Sequence, residues 1–454
     1  MLILVLALGL CACGGNGDQG GENEEKVMTY AEFEAAAKDS KVIVETYVQA
    51  KQGWWDNKAS VYTQTPDGAY FLYNMACSEA DYAKLTEGTK IQVTGYKAEW
   101  SGEIEIVDAT FKFVEGAEPY VAETMDATAL LGTDELIKHQ NKKVSFDLLT
   151  VVPSKDKDGN EKPFLYNWDG SGNAESDSDL YFKAAIGDKT YTFVIEYYLT
   201  GPSTDAYKAV QALQIGDVIS LEGFLYWYEG SQPHVTNVLS VMDYEAYAEA
   251  ELESKVLVET YVQAKQGWWD NKATVYTQDE EGGYFLYNMP MTKAEYDLLT
   301  VGTKLAVVGY KTVWSGEVEI IDSKFMILEA DPYVAEPVDL TAALGTDELI
   351  NSQNMLAAFK GLTVVVSTDK DGVEKPFLYG WDGSGDADSD SDLYFKATVG
   401  DKTYTFVIEY YLTGPDSDAY KAVQALQVGD VIDLEGFLYW YEGPQAHITK
   451  VTVK

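Results

Sequence analysis

Runs of β-branched and aromatic residues, broken by turn signals every few positions, dominate the apolar and polar pattern of this chain. Residues 42–48 (VIVETYV) form the first run and predict a strand. Residues 54–58 interrupt the pattern and 60–64 predict a second strand. Pro66-Asp67-Gly68 marks a turn, and 70–75 a third strand. Ser78-Glu79-Ala80-Asp81 has the form of a capping box, which predicts a short helix to Leu85 that Gly88-Thr89 ends. A fourth strand follows over 90–96, with Ile91 and Val93 on one face. Trp100-Ser101-Gly102 then turns the chain into a fifth strand over 103–107. A short helix, TYAEFEAAAKDS, opens the series.

The series occurs twice. Residues 41–64 and 255–278 differ only at Ile43, which becomes Leu257, and Ser60, which becomes Thr274. Residues 190–202 and 403–415 are the same thirteen residues. A duplication of this length implies domain-scale units, each long enough to bury its own core. Within each copy a second set of elements follows the first. KVSFDLLTVV is its opening strand, LYFKAAI-GD-KTYTFVIEYY a hairpin, AYKAVQALQ a helix, and DVISLEGFLYWYEG-SQ-PHVTNVLSV a closing pair.

Strand, strand, strand, helix, strand, strand is the order of an OB-fold, in which the helix plugs one end of a five-stranded barrel. The chain thus resembles OB-fold proteins over 41–115 and again over 143–241, and the second copy repeats both. The expected class is mainly β, with tandem OB-fold-like five-stranded barrels joined by short helices. The expected domains are a leader over 1–13, a tether over 14–26, and barrels over 27–122, 123–240, 241–336 and 337–454. A helix between the third and fourth strands argues against immunoglobulin-like sandwiches.

Residues 2–10 (LILVLALGL) are too few to span a membrane and suit the apolar part of a secretory signal. Leu10-Cys11-Ala12-Cys13 resembles the lipobox of bacterial lipoproteins, which implies Cys13 as the lipidated residue. Residues 14–25 (GGNGDQGGENEE) read as a flexible tether. The chain is similar to bacterial lipoproteins built from OB-fold modules, which places it outside the cytoplasm and anchored to a membrane by lipid. Cys77, opposite Met291 in the other copy, reads as a small buried apolar residue.

All 33 basic side chains are Lys, against 74 Asp and Glu, for a net charge of −41. Phosphate backbones are bound by Lys and Arg, Arg above all for bidentate contacts, so no nucleic acid is expected as a partner.

In OB-folds that bind oligonucleotides or oligosaccharides, the strand 2–3 face and the loops joining strands 1–2 and 4–5 make the site. Trp54, Trp55 and Lys58 fall at the first loop of the first barrel, and Trp100 and Glu103 at the other. Trp268, Trp269, Lys272, Trp314 and Glu317 repeat them. In the companion barrels Trp168, Tyr226 and Trp227 correspond to Trp381, Tyr439 and Trp440. These residues are the candidate ligand contacts. Aromatic rings with amides and carboxylates suit a glycan or a surface protein. The alternative is a structural or envelope-assembly module with its tryptophans buried between barrels. A single-stranded nucleic-acid binder or a glycosidase ranks below both. The neighbouring Lys51 and Lys97 admit a small anionic ligand or solvated strand edges.

Catalysis finds little support. His139 is replaced by Ser352, His234 and His447 stand singly, and no nucleophile elbow, phosphate loop, HExxH or CxxC motif occurs. Glu103 and Glu105 share one face of one strand, unlike a carboxylate pair that flanks a sugar. The acidic stretches 169–179 and 382–392 offer oxygen ligands but lack the EF-hand spacing. The expectation is a binding protein that is not an enzyme and needs neither metal nor cofactor.

Overall fold

The computed structural model describes residues 26–454; the apolar leader, Cys11, Cys13 and nearly all of the tether lie outside the described residues. The chain is mostly β and contains four closed five-stranded barrels. The first uses Lys41–Lys51, Lys58–Gln64, Ala69–Ala76, Lys90–Trp100 and Glu103–Phe113 in the order 1-2-3-5-4, closed by pairing of the first strand with the fourth. Its third and fifth strands run parallel, Leu72 beside Ile106. Helix Glu79–Tyr82 lies between the third and fourth strands, with the Ser78 hydroxyl accepting from the Asp81 N–H. Alternate residues of the first strand, Val42, Val44 and Val48, meet Leu72, Ile91, Val93 and Ile106 in the core.

The second barrel uses Lys143–Val152, Leu180–Ile186, Lys189–Ile195, Val218–Phe224 and His234–Ser240, with the same ring order. Its helix, Asp205–Ala212, is capped by Thr204 and buries Ala206, Tyr207 and Val210. The short strands Met125–Asp126 and Phe164–Tyr166 are added to this ring. The third barrel (Lys255–Lys265 to Glu317–Leu328) and the fourth (Leu356–Val365 to His447–Val453) repeat the first and second. Fifth strands in the first and third barrels run several residues beyond the predicted 103–107. Residues such as Phe111 and Phe325 still pack on the cores there.

The chain divides into two compact units. One holds residues up to Trp100 and Ile104–Val121, and the other holds Ser101–Glu103 and Ala122–Lys454. Inside the larger unit, the second and third barrels meet through Leu148, Val218, Leu257, Ala306 and Val308. Asp147, nearly buried, accepts from Lys255 Nζ at 2.6 Å and Lys324 Nζ at 2.7 Å. The two copies differ at these positions. Where the third barrel has Leu257, Ala306 and Val308, the first has Ile43, Gln92 and Thr94. Where the second has Asp147, Leu148 and Leu239, the fourth has Lys360, Gly361 and Thr452. The apolar and paired residues sit where the second and third barrels meet, and apart from Ile43 their counterparts on the first and fourth barrels are polar or smaller.

Two lysines beside the tryptophan loops serve the fold. Lys311 is buried, and its Nζ donates to the carbonyls of Tyr247, Ala248 and Ala250 at 2.8–2.9 Å, closing the C-terminal end of helix Tyr244–Glu249. Lys97 does the same for Phe33, Glu34 and Ala36 in the smaller unit. These helices are too short to stand alone, and the ammonium meets carbonyls that helix geometry leaves free. Lys311→Met is therefore expected to cost about 2–4 kcal/mol in urea unfolding, because three acceptors lose one charged donor. An unchanged midpoint would show that water replaces the ammonium.

Candidate functional site

The larger unit carries a cleft of about 730 Å³ on the fourth barrel. Its floor comes from that barrel's second and third strands, Leu393–Val399 and Lys402–Ile408. Its walls are the loops joining strands 1–2 and 4–5. This is the face by which OB-folds bind ligands. Trp381, 76% exposed, stands on the first loop, with Tyr439 and Tyr441 on the second. Trp314, at the hairpin tip of the third barrel, joins the same wall with its ring 5.3 Å from that of Tyr441.

The hairpin tip is fixed from below. Gly316 has φ +96°, and a Cβ there would lie 2.7 Å from Trp440 Cδ1, so the indole closes on bare backbone. The Trp440 N–H donates to Glu317 Oε2 at 2.7 Å, and Gln353 donates to the same oxygen at 2.9 Å. Glu442 N–H donates to the Ser315 carbonyl. Fully buried Glu317 has its carboxyl pushed up to about 8 by loss of solvent, and Glu319 beside it to about 7. Behind this wall Tyr276 OH lies 2.7 Å from His447 Nδ1, and the Tyr439 ring stacks on the imidazole at 4.2 Å. Burial holds His447 down to about 3, so it is neutral and packs as an aromatic.

Inside the cleft Asp392 and Glu409 stand on adjoining strand ends, one step beyond the Leu393–Ile408 pair. Burial raises both, Glu409 to about 7, with the Asp392 charge adding to the effect. The second barrel carries the same set. Tyr197 N–H donates to Asp179 Oδ1, Leu199 N–H donates to Glu196 Oε2, and Trp168 is 75% exposed.

The candidate residues divide into two groups. Trp314, Trp381 and Tyr439 come together in the cleft, and Trp440 and Glu317 lie beneath its wall. In the second barrel Tyr226 stacks on His234, and the Trp227 N–H donates to Glu103 Oε2 at 2.8 Å. Trp268 turns inward and donates to the Met291 carbonyl, as Trp54 does to that of Cys77. Trp269 stays exposed with Lys272 Nζ over its ring at 5.3 Å. Trp55 and Trp100 are also exposed, and Lys58 lines a shallow hollow of about 470 Å³ in the smaller unit with Tyr73 and Glu105. Lys51 is bound to the Tyr82 carbonyl. In the acidic loops the carboxylates serve local turns, as Asp382 does for Ser384 N–H and Asp386 for Asp388 N–H. Among the described residues no group of three His, Cys, Asp or Glu is arranged to hold a metal.

The Asp392–Glu409 pair was not among the candidates. Its signal was the turn: counting outward equally from Gly400-Asp401 brings 392 opposite 409, as counting from Gly187-Asp188 brings 179 opposite 196.

No family model and no curated protein matches this chain. Solved structures similar to it include a replication protein A heterotrimer bound to ssDNA. It is 10% identical over 70% of this chain and 98% of that one, with a TM-score of 0.21. They also include the Ifi202 HINa domain in complex with 20 bp dsDNA (10% identical, 42% of this chain and 97% of that one, TM-score 0.18). A murine DNA-binding protein bound with dsDNA is 8% identical over 42% of this chain and all of that one, also at 0.18. The expectation that no nucleic acid is a partner is corrected by these comparisons, since the similar structures are themselves DNA complexes. Its physical flaw is that net charge describes a whole chain and leaves open what one barrel face meets. The likeness assigns no ligand to this chain.

Proposed function

We propose that this chain is a non-catalytic binding protein, held outside the cytoplasm by a lipid on Cys13, whose barrel faces engage a glycan. The observation that carries the reading is Trp381, three-quarters exposed on the rim of a cleft that also holds Asp392 and Glu409. A flat ring left in water beside hydrogen-bond acceptors offers stacking and hydroxyl recognition together, the two contacts a sugar ring uses. The matching set around Trp168, Asp179 and Glu196 supports two sites per chain, which would raise avidity on a polymer.

Tryptophan emission of the chain, titrated with soluble glycan oligomers and with a single-stranded oligonucleotide, tests the reading. A saturable shift with a glycan is expected. Trp168→Ala combined with Trp381→Ala should weaken binding at least about tenfold, equivalent to ~1.4 kcal/mol. Silence toward every glycan, or tighter binding of the oligonucleotide, would overturn it. Lipid attachment is tested separately by labelled-palmitate incorporation, which Cys13→Ser should abolish.

A further inference from the structure

Asp392 and Glu409 are built to face a cation. Each carboxylate is held by backbone donors. The Tyr410 N–H reaches Asp392 Oδ1 at 2.8 Å, and the Leu412 N–H reaches Glu409 Oε2 at 2.5 Å. Both groups line the cleft, and Glu442 joins them from the opposite loop. Like charges on directly opposed strand positions repel, and a half-buried pair is screened less than a surface one. The only ammonium lining the cleft among the described residues is Lys396. Around the carboxylates stand the rings of Trp381, Tyr394 and Tyr441. Aromatic faces and carboxylates share one preference, a positive charge with some apolar surface. A neutral sugar could donate hydroxyl hydrogen bonds here only by leaving the paired charges uncompensated. A phosphate would meet three carboxylates.

We infer that the cleft selects an amine-bearing sugar, a hexosamine whose nitrogen is free and protonated, over its N-acetylated form. The ammonium sits between Asp392 and Glu409, and the ring stacks on Trp381. The same chemistry applies to Asp179, Glu196 and Trp168 in the second barrel. This inference rests on the glycan reading above and narrows it.

Calorimetric titration of the full chain with a glucosamine hexamer and with its fully N-acetylated counterpart tests the inference, in buffer near neutral pH, where free amines and the cleft carboxylates can both carry charge. The free-amine oligomer is expected to bind at least about tenfold more tightly, a difference of ~1.4 kcal/mol. Asp179→Asn with Asp392→Asn keeps an acceptor for each backbone N–H and should abolish that preference, so that the two oligomers bind within about threefold of each other. Equal or tighter binding of the acetylated oligomer overturns the inference and leaves the glycan reading standing. Absence of heat with either oligomer, together with silence toward every other glycan, sinks both.

Discussion

Asp147→Lys, which installs the residue the second copy carries at the corresponding position, should part the third barrel from the second. Asp147 is nearly buried and holds Lys255 and Lys324. The exchange removes the carboxylate that the two lysines share, leaves Lys324 its half-exposed pair with Asp126, and puts a third ammonium in place of Asp147. Breaking a buried pair by losing one partner costs ~3–5 kcal/mol, because the remaining charge stays desolvated. Here the new charge adds repulsion to that cost. The apolar contact of Leu148 and Val218 with Leu257, Ala306 and Val308 would then face a wedge of three lysines. Urea unfolding followed by tryptophan emission should change from one shared transition of these barrels to separate ones. Protease should also cut between residues 241 and 254. Lys360→Asp, the reverse exchange on the fourth barrel, breaks an exposed pair with Asp339 and should cost under about 1 kcal/mol. If Asp147→Lys unfolds as the parent does, the junction is not what couples the copies.

What could be read from the residues was the strand order. Turn chemistry at Pro66-Asp67-Gly68 and Gly187-Asp188, and caps at Ser78 and Thr292, act within a few positions, so a local reading captures them. Alternation also says which side of a strand is apolar. It cannot say what covers the other side. Glu317 and Glu319 alternate with Val318 and look like solvent-facing acids, yet both are buried where the fourth barrel packs on the third. Lys97 and Lys311 looked like the polar company of a tryptophan loop and instead close the ends of short helices. The copies themselves held a further signal. Where Gln92 and Thr94 become Ala306 and Val308, the second copy marks the face that docks. Comparing the copies position by position exposes that face, whereas either copy alone hides it.

Glu317→Gln should stabilise the protein in alkaline solution and leave it nearly unchanged in mild acid. Burial lifts the Glu317 carboxyl from its ordinary value of 4.5 to about 8. Between those values the folded state holds a proton that the unfolded state has released. Stability is therefore fully present below about pH 4.5 and declines as pH rises through 8. Glu319 and Glu409, each raised to about 7, act in the same direction. The decline assigned to Glu317 is on the order of 5 kcal/mol, because each tenfold fall in proton activity between the two values removes about 1.4 kcal/mol. Its Oε2 accepts from the Trp440 N–H and from Gln353, while Oε1 has no partner among the described residues. Asn354 reaches the same carboxyl, and its own Oδ1 is likewise without a partner there. A proton on Oε1 gives that carbonyl a donor, and glutamine supplies the donor permanently as an amide. Its carbonyl keeps the Trp440 contact, so the hairpin under the cleft stays in place. Urea midpoints of parent and variant should coincide near pH 5, diverge up to about pH 8 and stay apart above it, with the variant higher. A variant that is weaker at both ends would mean that Glu317 is ionised in the fold and that its charge, rather than its proton, holds the two barrels together.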